Sequence, residues 1–447
     1  MSTFNELGLS HDIIQALTDC GYQTPTDIQA AAIPCALAGN DMLAAAQTGT
    51  GKTAAFMLPS IERLKHHANT SVSPAMHPVR MLILTPTREL ADQIYSNNNN
   101  YLKNIPLRHT VIFGGTNIEP QKAALQQGCE IVVATVGRLL DHVSQKSISL
   151  NKVEILVLDE ADRMLDMGFI DDVRKIIKML PENRQILLFS ATFAPEIRKL
   201  ATDFMHNPQT IETAPQNSTA ESVEQHLIAV DDWRKRDLLE DLIVGLNIPQ
   251  AIVFCNKKIT VSQVTRELVK RKIAAASLHG DKSQSERLQT LADFKAENIR
   301  ILVATDVAAR GLDISELPFV INYELPLQAE DYVHRIGRTG RAGTNGVALS
   351  LVEENEQKLL DAILQLTSQD LKLEQIEGYE PEWLIDENAK PSFRQPEKYN
   401  KNNTIKKIAD KNDPAAKCEK IPGRQRLLRG RKREVCALLL PNYGVQQ

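Results

Sequence analysis

The 447-residue chain is 43% hydrophobic and 24% charged, with a formal net charge of −4, the balance of an ordinary folded protein with room for two or three domains. Its six cysteines (Cys20, Cys35, Cys129, Cys255, Cys418, Cys436) form no CxxC pair, which argues against a zinc site or disulfide framework and for reduced thiols in a cytoplasmic setting. No stretch approaches 18 consecutive apolar residues and the N-terminus has no charged-then-apolar leader, so neither export nor membrane spanning is expected.

In chain order, the first expected element is a helix begun by Ser10, with Ile13, Ile14, Leu17 and Cys20 on its apolar face and Gly21 as its stop. A strand-like run at 42–46 then leads into Ala46-Gln47-Thr48-Gly49-Thr50-Gly51-Lys52-Thr53, followed by helical spacing over 54–64. Glycines in such a loop let backbone N–H groups approach phosphate oxygens, while the Lys reaches the β/γ-phosphates and the Thr hydroxyl holds Mg²⁺. Ala46 stands where the simple GxxxxGK(S/T) pattern has Gly, yet Gly49, Gly51, Lys52 and Thr53 keep the phosphate-facing part.

Near-continuous apolar runs at 81–85, 110–113, 131–135, 155–158 and 186–189 read as parallel strands buried by helices on both faces. The fourth closes on Asp159-Glu160-Ala161-Asp162. A buried strand ending in acids supplies the second hold on the metal and a base for an attacking water. Phosphate loop and acidic strand end together predict hydrolysis of a nucleoside triphosphate. Asn97–Asn100 falls within an expected helix, and four Asn are poor helix formers, which predicts local fraying.

Residues 207–221, rich in Pro, Thr, Asn and Ser, read as a linker. The pattern then restarts, with strands at 227–230, 252–255, 274–278, 301–304, 320–323 and 347–351 and helical spacing at 261–272 and 285–295. The fold class is therefore α/β, with two doubly wound parallel-sheet domains in tandem, at 1–210 and 223–378, joined by 211–222. From 379 the apolar periodicity fails, which predicts a disordered tail. Residues 388–447 hold 15 Lys and Arg against 5 Asp and Glu, so the preceding 387 residues carry about −14. An acidic body with a basic tail suggests a polyanion partner. His66, His67, His109 and His142 lack ligand spacing and read as solvated or structural.

His334-Arg335-Ile336-Gly337-Arg338-Thr339-Gly340-Arg341 is either a basic surface turn or a source of the always-charged donor that a γ-phosphate transition state calls for.

Phe4 and Gly21-Tyr22-Gln23-Thr24-Pro25-Thr26-Asp27-Ile28-Gln29 resemble the Q motif of the DEAD-box RNA helicases. In family order there follow Ala46–Thr53, Pro86-Thr87-Arg88-Glu89-Leu90-Ala91, Gly114-Gly115, Thr135-Val136-Gly137-Arg138, Asp159–Asp162, Ser190-Ala191-Thr192, Val253-Phe254-Cys255-Asn256, Gln284 with Arg287, the run from Ala304 to Asp313, and His334–Arg341. The resemblance covers about residues 2–378. Among bacterial members, Leu165-Asp166-Met167-Gly168-Phe169-Ile170 and Glu377-Gly378-Tyr379-Glu380-Pro381 are most like RhlE.

The resemblance implies two RecA-like domains that close on ATP, Mg²⁺ and single-stranded RNA, locally unwind duplexes, and release the strand after hydrolysis. It implies that Gln29 reads adenine, with Tyr22 and Phe4 around the base. Ala46, Gln47, Thr48, Gly49, Thr50, Gly51, Lys52 and Thr53 would hold the phosphates, Thr53 and Asp159 the metal, and Asp313 the ribose. Glu160 would serve as base, and Arg338 and Arg341 would reach the γ-phosphate from the second domain. Ser190 and Thr192 would couple hydrolysis to closure. Arg88, Gly115, Thr135, Arg138, Gln284, Arg287 and Thr305 would line the RNA track, with little base readout. Val136, where the family usually has Pro, is expected to loosen the turn presenting Arg138. A monomer working with ribonucleoprotein or RNA-processing complexes is expected. The alternative is an ATP-locked RNA clamp with little unwinding, since a clamp retains the same motifs; a DNA helicase fits the Q motif less well.

Overall fold

A computed structural model describes residues 3–45, 50–212, 223–309, 314, 316–340, 346–367 and 371–384. The first sheet consists of β1 (Met42–Ala45), β2 (Met81–Thr85), β3 (His109–Ile112), β4 (Ile131–Thr135), β5 (Ile155–Leu158), β6 (Gln185–Ser190) and β7 (Gln209–Glu212). The second holds β8 (Val223–Ala229), β9 (Ala251–Phe254), β10 (Ala275–Leu278), β11 (Ile301–Ala304), β12 (Phe319–Asn322), β13 (Gly346–Val352) and β14 (Leu373–Glu374). Their orders are β3-β4-β2-β5-β6-β1-β7 and β10-β11-β9-β12-β13-β8-β14, one topology used twice. Every pairing is parallel.

The strand period of two explains the apolar runs. Along β2, Met81 and Ile83 enter the core on one face of the sheet, while Leu82 and Leu84 enter the core on the other. With both faces covered, apolar residues fill both sides of such a strand, and in β2 the polar Thr85 enters only at its end.

Two boundaries differ from those expected. Gln209–Glu212 is not linker but the edge strand β7, paired to β1. Only Ile211 packs on the core, so the strand is held by its backbone ladder and carries no apolar signal. β14 is a second such edge strand. Chain order also continues past 378, because Tyr379 is buried in the second domain's core and donates its hydroxyl to Asp241 Oδ2 at 2.7 Å. Residues 385–447, and with them the basic segment 388–447, lie outside the described residues.

The Asn run does not fray. Helix Arg88–Tyr101 passes straight through it, with Asn98 completely buried. Four Asn cost such a helix up to roughly 0.7 kcal/mol each relative to Ala, so tertiary packing overrides local preference here. Ser10 does precede helix His11–Asp19, but its hydroxyl accepts from Lys65 Nζ at 3.0 Å instead of capping. Val136 is buried as the first residue of helix Val136–Ser144, where the N–H has no intrahelical acceptor to lose. Arg138 nonetheless donates to the Thr116 carbonyl at 3.1 Å and lies 3.5 Å from Asp141, so the turn holds it. His142 is buried against Ser147 and Gln121, and so is structural. A histidine not singled out, His77, forms a buried pair with Glu130 at 2.6 Å beneath the loop before β2.

Candidate functional site

Parallel strands end together at one edge of the sheet, and the loops there build sites. In register, Ala45 at the end of β1 lies beside Ser190 of β6, and Leu158 of β5 beside Leu188 of β6. The phosphate loop, the Ser190-Ala191-Thr192 turn and the Asp159–Asp162 acids therefore leave three adjacent strands.

Gly51 precedes helix Lys52–Leu64 with φ +90°, a conformation that L side chains rarely adopt. A Cβ there would also overlap the Gln29 amide. Lys52 is 6% exposed, Asp159 2% and Glu160 3%. Among the described residues, Lys52 Nζ, Asp159 Oδ1 and Glu160 Oε2 are buried without a hydrogen-bond partner. Folded proteins leave few such groups, and three charged ones at one strand edge mark a site built for a charged ligand. Burial pushes the Asp159 carboxyl up to about 6, against the pull of Lys52 and with help from Glu160. Glu160 has φ 54° and ψ 52°, a left-handed backbone uncommon for a non-glycine residue and typical of functional strain. Thr53 and Thr50 are half-buried beside the loop, while Ala46, Gln47, Thr48 and Gly49 lie outside the described residues.

Asp162 ties the acids to the next turn. Its Oδ2 accepts from the backbone N–H groups of Ala191 at 3.0 Å and Thr192 at 3.2 Å. Ser190 Oγ accepts from the Asp162 N–H and donates to the Thr192 carbonyl at 2.6 Å. Ser190 and Thr192 are thus joined to the acidic strand end through a residue to which the sequence alone assigned no role.

Gln29 is buried, with Oε1 accepting from Thr26 N–H at 3.0 Å and Nε2 donating to the Gly51 carbonyl at 3.1 Å. One lone pair and one N–H of the amide remain. Tyr22 is exposed, its ring edge-on to the buried Phe4 at 6.4 Å.

A cleft of about 450 Å³ opens along the other half of the same edge, beyond β2 and β4, and both domains line it. It brings together Arg88, Thr135, Arg138, Gln284 and Arg287. Gly115 has φ +77°, and the Arg88 guanidinium packs where a Cβ would stand. Gly114 lines the cleft beside it. Thr305 is half-buried at the end of β11, two residues before the lining Val307. Glu89, also unforeseen, accepts from Arg287 Nε at 2.7 Å and from Gln284 Nε2 at 3.2 Å, an ion pair across the two domains.

In the second domain the first arginine of His334–Arg341 is structural. Arg335 is buried, with all five N–H groups bonded: two to Asp306 at 2.6 Å each, and one each to Asn256 Oδ1, Asn322 Oδ1 and the Glu324 carbonyl. The network locks the ends of β9, β11 and β12 together. Arg338 is buried in the turn after helix Ala329–Ile336. Arg341 and Asp313 lie outside the described residues. The third acid of the Asp159–Asp162 run and the Glu following Arg88 were signals available for Asp162 and Glu89; nothing local distinguished Arg335 from Arg338.

No helix among the described residues is long and apolar enough to cross a membrane. The DEAD/DEAH box helicase family matches residues 26–200, and the helicase conserved C-terminal domain matches 234–343. ATP-dependent RNA helicase DbpA of Bacillus subtilis (strain 168) is 40% identical over 414 residues, 91% of this chain and 85% of that protein. ATP-dependent RNA helicase CshA of Limosilactobacillus reuteri is 43% identical over 364 residues, 81% and 72% of the respective chains. Among solved structures, S. cerevisiae Dbp5 bound to RNA and ADP BeF3 is similar with a TM-score of 0.75 at 31% identity, over 85% of this chain and 96% of that one. With a site for a charged ligand and a basic cleft on the same edge of a RecA-like sheet, the chain belongs to the DEAD-box family of ATP-dependent RNA helicases.

Proposed function

We propose that this chain binds single-stranded RNA across its two domains, opens short duplexes locally, and hydrolyses ATP to let go. The observation that carries the reading is the buried cluster of Lys52, Asp159 and Glu160, each with a polar atom that makes no hydrogen bond among the described residues, on the edge that also forms the basic cleft. In this reading the loop 46–53 cradles the phosphates, with Lys52 on the β- and γ-oxygens. Glu160 orients a water and accepts its proton as the water oxygen attacks the γ-phosphorus and the bond to the β-phosphate oxygen breaks. Thr53 and Asp159, whose Oδ1 makes no hydrogen bond among the described residues, suit a hard divalent cation, and Mg²⁺ there would neutralise phosphate charge. Arg338 and Arg341 stabilise the charge that develops on the γ-phosphoryl group, and Asp313 holds the ribose. Gln29 reads adenine through its one donor and one acceptor, with Tyr22 as the ring that stacks.

Ser190 and Thr192 report the state of the acidic strand end through Asp162. Arg88, Gly115, Thr135, Arg138, Gln284, Arg287 and Thr305 hold sugar and phosphate, so little sequence preference is expected. Domain bounds of 1–212 and 223–384, which take in β7 and Tyr379, are part of the proposal. A cytoplasmic location and a place near the RhlE branch are part of the proposal, the latter resting on the stretches at 165–170 and 377–381. ATPase rate with RNA, with DNA and with neither tests the reading: stimulation by RNA alone is expected, and equal stimulation by DNA would overturn it. Multiple-turnover strand displacement separates a helicase from an ATP-locked clamp.

A further inference from the structure

Tyr22 is an exposed ring on a short turn, yet it is held from three directions. Its backbone N–H donates to the Leu17 carbonyl at 3.0 Å. Phe4 lies edge-on to one part of the ring at 6.4 Å. Tyr101, the last residue of helix Arg88–Tyr101, lies edge-on at 6.5 Å, and the two tyrosine hydroxyls share a hydrogen bond at 3.1 Å. An exposed aromatic side chain otherwise samples several rotamers, and binding a flat ligand would freeze them. A hydroxyl–hydroxyl bond to a buried partner fixes ring rotation beforehand.

The element that carries Tyr101 sets poor helix formers against burial. It ends in Asn97–Asn100, poor helix formers, and the Asn98 amide is fully buried with neither polar atom hydrogen-bonded among the described residues. This turn is held by tertiary contacts: Tyr101, Leu102 and Ile105 are buried in the first domain's core, Tyr101 bonds to Tyr22, and Lys103 Nζ lies 2.7 Å from Asp19. Anything that immobilises Tyr22 therefore also steadies the Asn-rich turn, and the converse holds by linkage.

We infer that Tyr101 is the positioning residue for Tyr22 and that adenine stacked on Tyr22 orders the helix end at 97–104. The inference rests on the reading of Tyr22 as the base-stacking ring. It is tested on the full chain with saturating RNA. Tyr101→Phe keeps the ring and removes only the hydroxyl. KM for ATP is expected to rise about three- to tenfold, the worth of one hydrogen bond, with kcat within about twofold. Tyr22→Phe should match it, and the double variant should be no worse than either single one. Inhibition by tripolyphosphate, which offers phosphates without a base, should be unchanged. In hydrogen exchange, ADP should slow the amides of residues 99–104 in the parent chain and not in Tyr101→Phe. A KM unchanged in Tyr101→Phe but raised in Tyr22→Ala overturns the role of Tyr101 alone, and so does weaker tripolyphosphate inhibition. A KM unchanged in Tyr22→Ala overturns the stacking reading beneath it. ADP protection that survives in Tyr101→Phe overturns the link to the helix end.

Discussion

Glu160 combines a carboxylate oxygen without a hydrogen bond, near-complete burial and a left-handed backbone. A residue kept at that cost is positioned for chemistry more than for stability. Glu160→Gln keeps the shape and removes the base, so RNA-stimulated hydrolysis should fall by at least about 10²-fold while ATP and RNA still bind. Turnover within a few-fold of the parent would remove Glu160 from the mechanism. The arginines of the second domain separate in the same way. Arg335 satisfies every donor inside the fold, so Arg335→Ala strands the Asp306 carboxylate and should cost about 3 kcal/mol of stability by chemical denaturation. Arg338→Ala should slow hydrolysis by roughly 10³-fold with little change in ATP affinity. ATP affinity falling in step with the rate would make Arg338 a ground-state ligand.

Helices and strands follow different rules from single residues. At Asn98 the burial of an unpartnered amide works against folding, and Asn98→Leu should raise stability by about 1–3 kcal/mol, read from the denaturation midpoint. A lower midpoint would mean that the amide has a partner. The central strands were legible because β2, β4, β5, β9 and β11 are buried on both faces and read as unbroken apolar runs. β7 and β14 were not, because an edge strand can be built from polar residues once a neighbour supplies the ladder. The fraying expected at Asn97–Asn100 failed for the related reason that propensity is a small term beside burial. The candidate site was legible where the proposed chemistry demands a residue type, as at Lys52, Asp159 and Glu160. It was illegible where a common residue acts through geometry: Asp162 through its acceptors, Glu89 across the cleft, Tyr101 through one hydroxyl.

At the scale of the molecule, charge is unevenly spread. The 388–447 segment carries 15 Lys and Arg against 5 Asp and Glu, whereas the rest of the chain is acidic. An acidic body approaches a polyanion slowly, and a cationic segment offsets that repulsion. Truncation after Glu387 should raise the RNA concentration for half-maximal ATPase and flatten its salt dependence by about 0.7 for each phosphate that the segment had neutralised. The maximal rate should hold, because no proposed catalytic residue lies beyond 341. An unaltered salt slope would rule the segment out as a partner of RNA.

Each sheet closes its own cores, with the first domain's apolar clusters drawn wholly from residues up to 211 and the second's from 223 onward. The repeated strand order therefore describes two units that need not share a polypeptide to fold. Ten residues, 213–222, connect them in sequence. Such a tether acts as a concentration, holding each half in the presence of its partner at a level on the order of millimolar. Supplied as separate chains, 1–212 and 223–447 should each be folded by circular dichroism and inactive at micromolar levels, with RNA-stimulated ATPase returning only as the mixture nears that range. Full activity at micromolar mixing would mean that the halves hold each other directly, and that the ten residues between them contribute little beyond continuity.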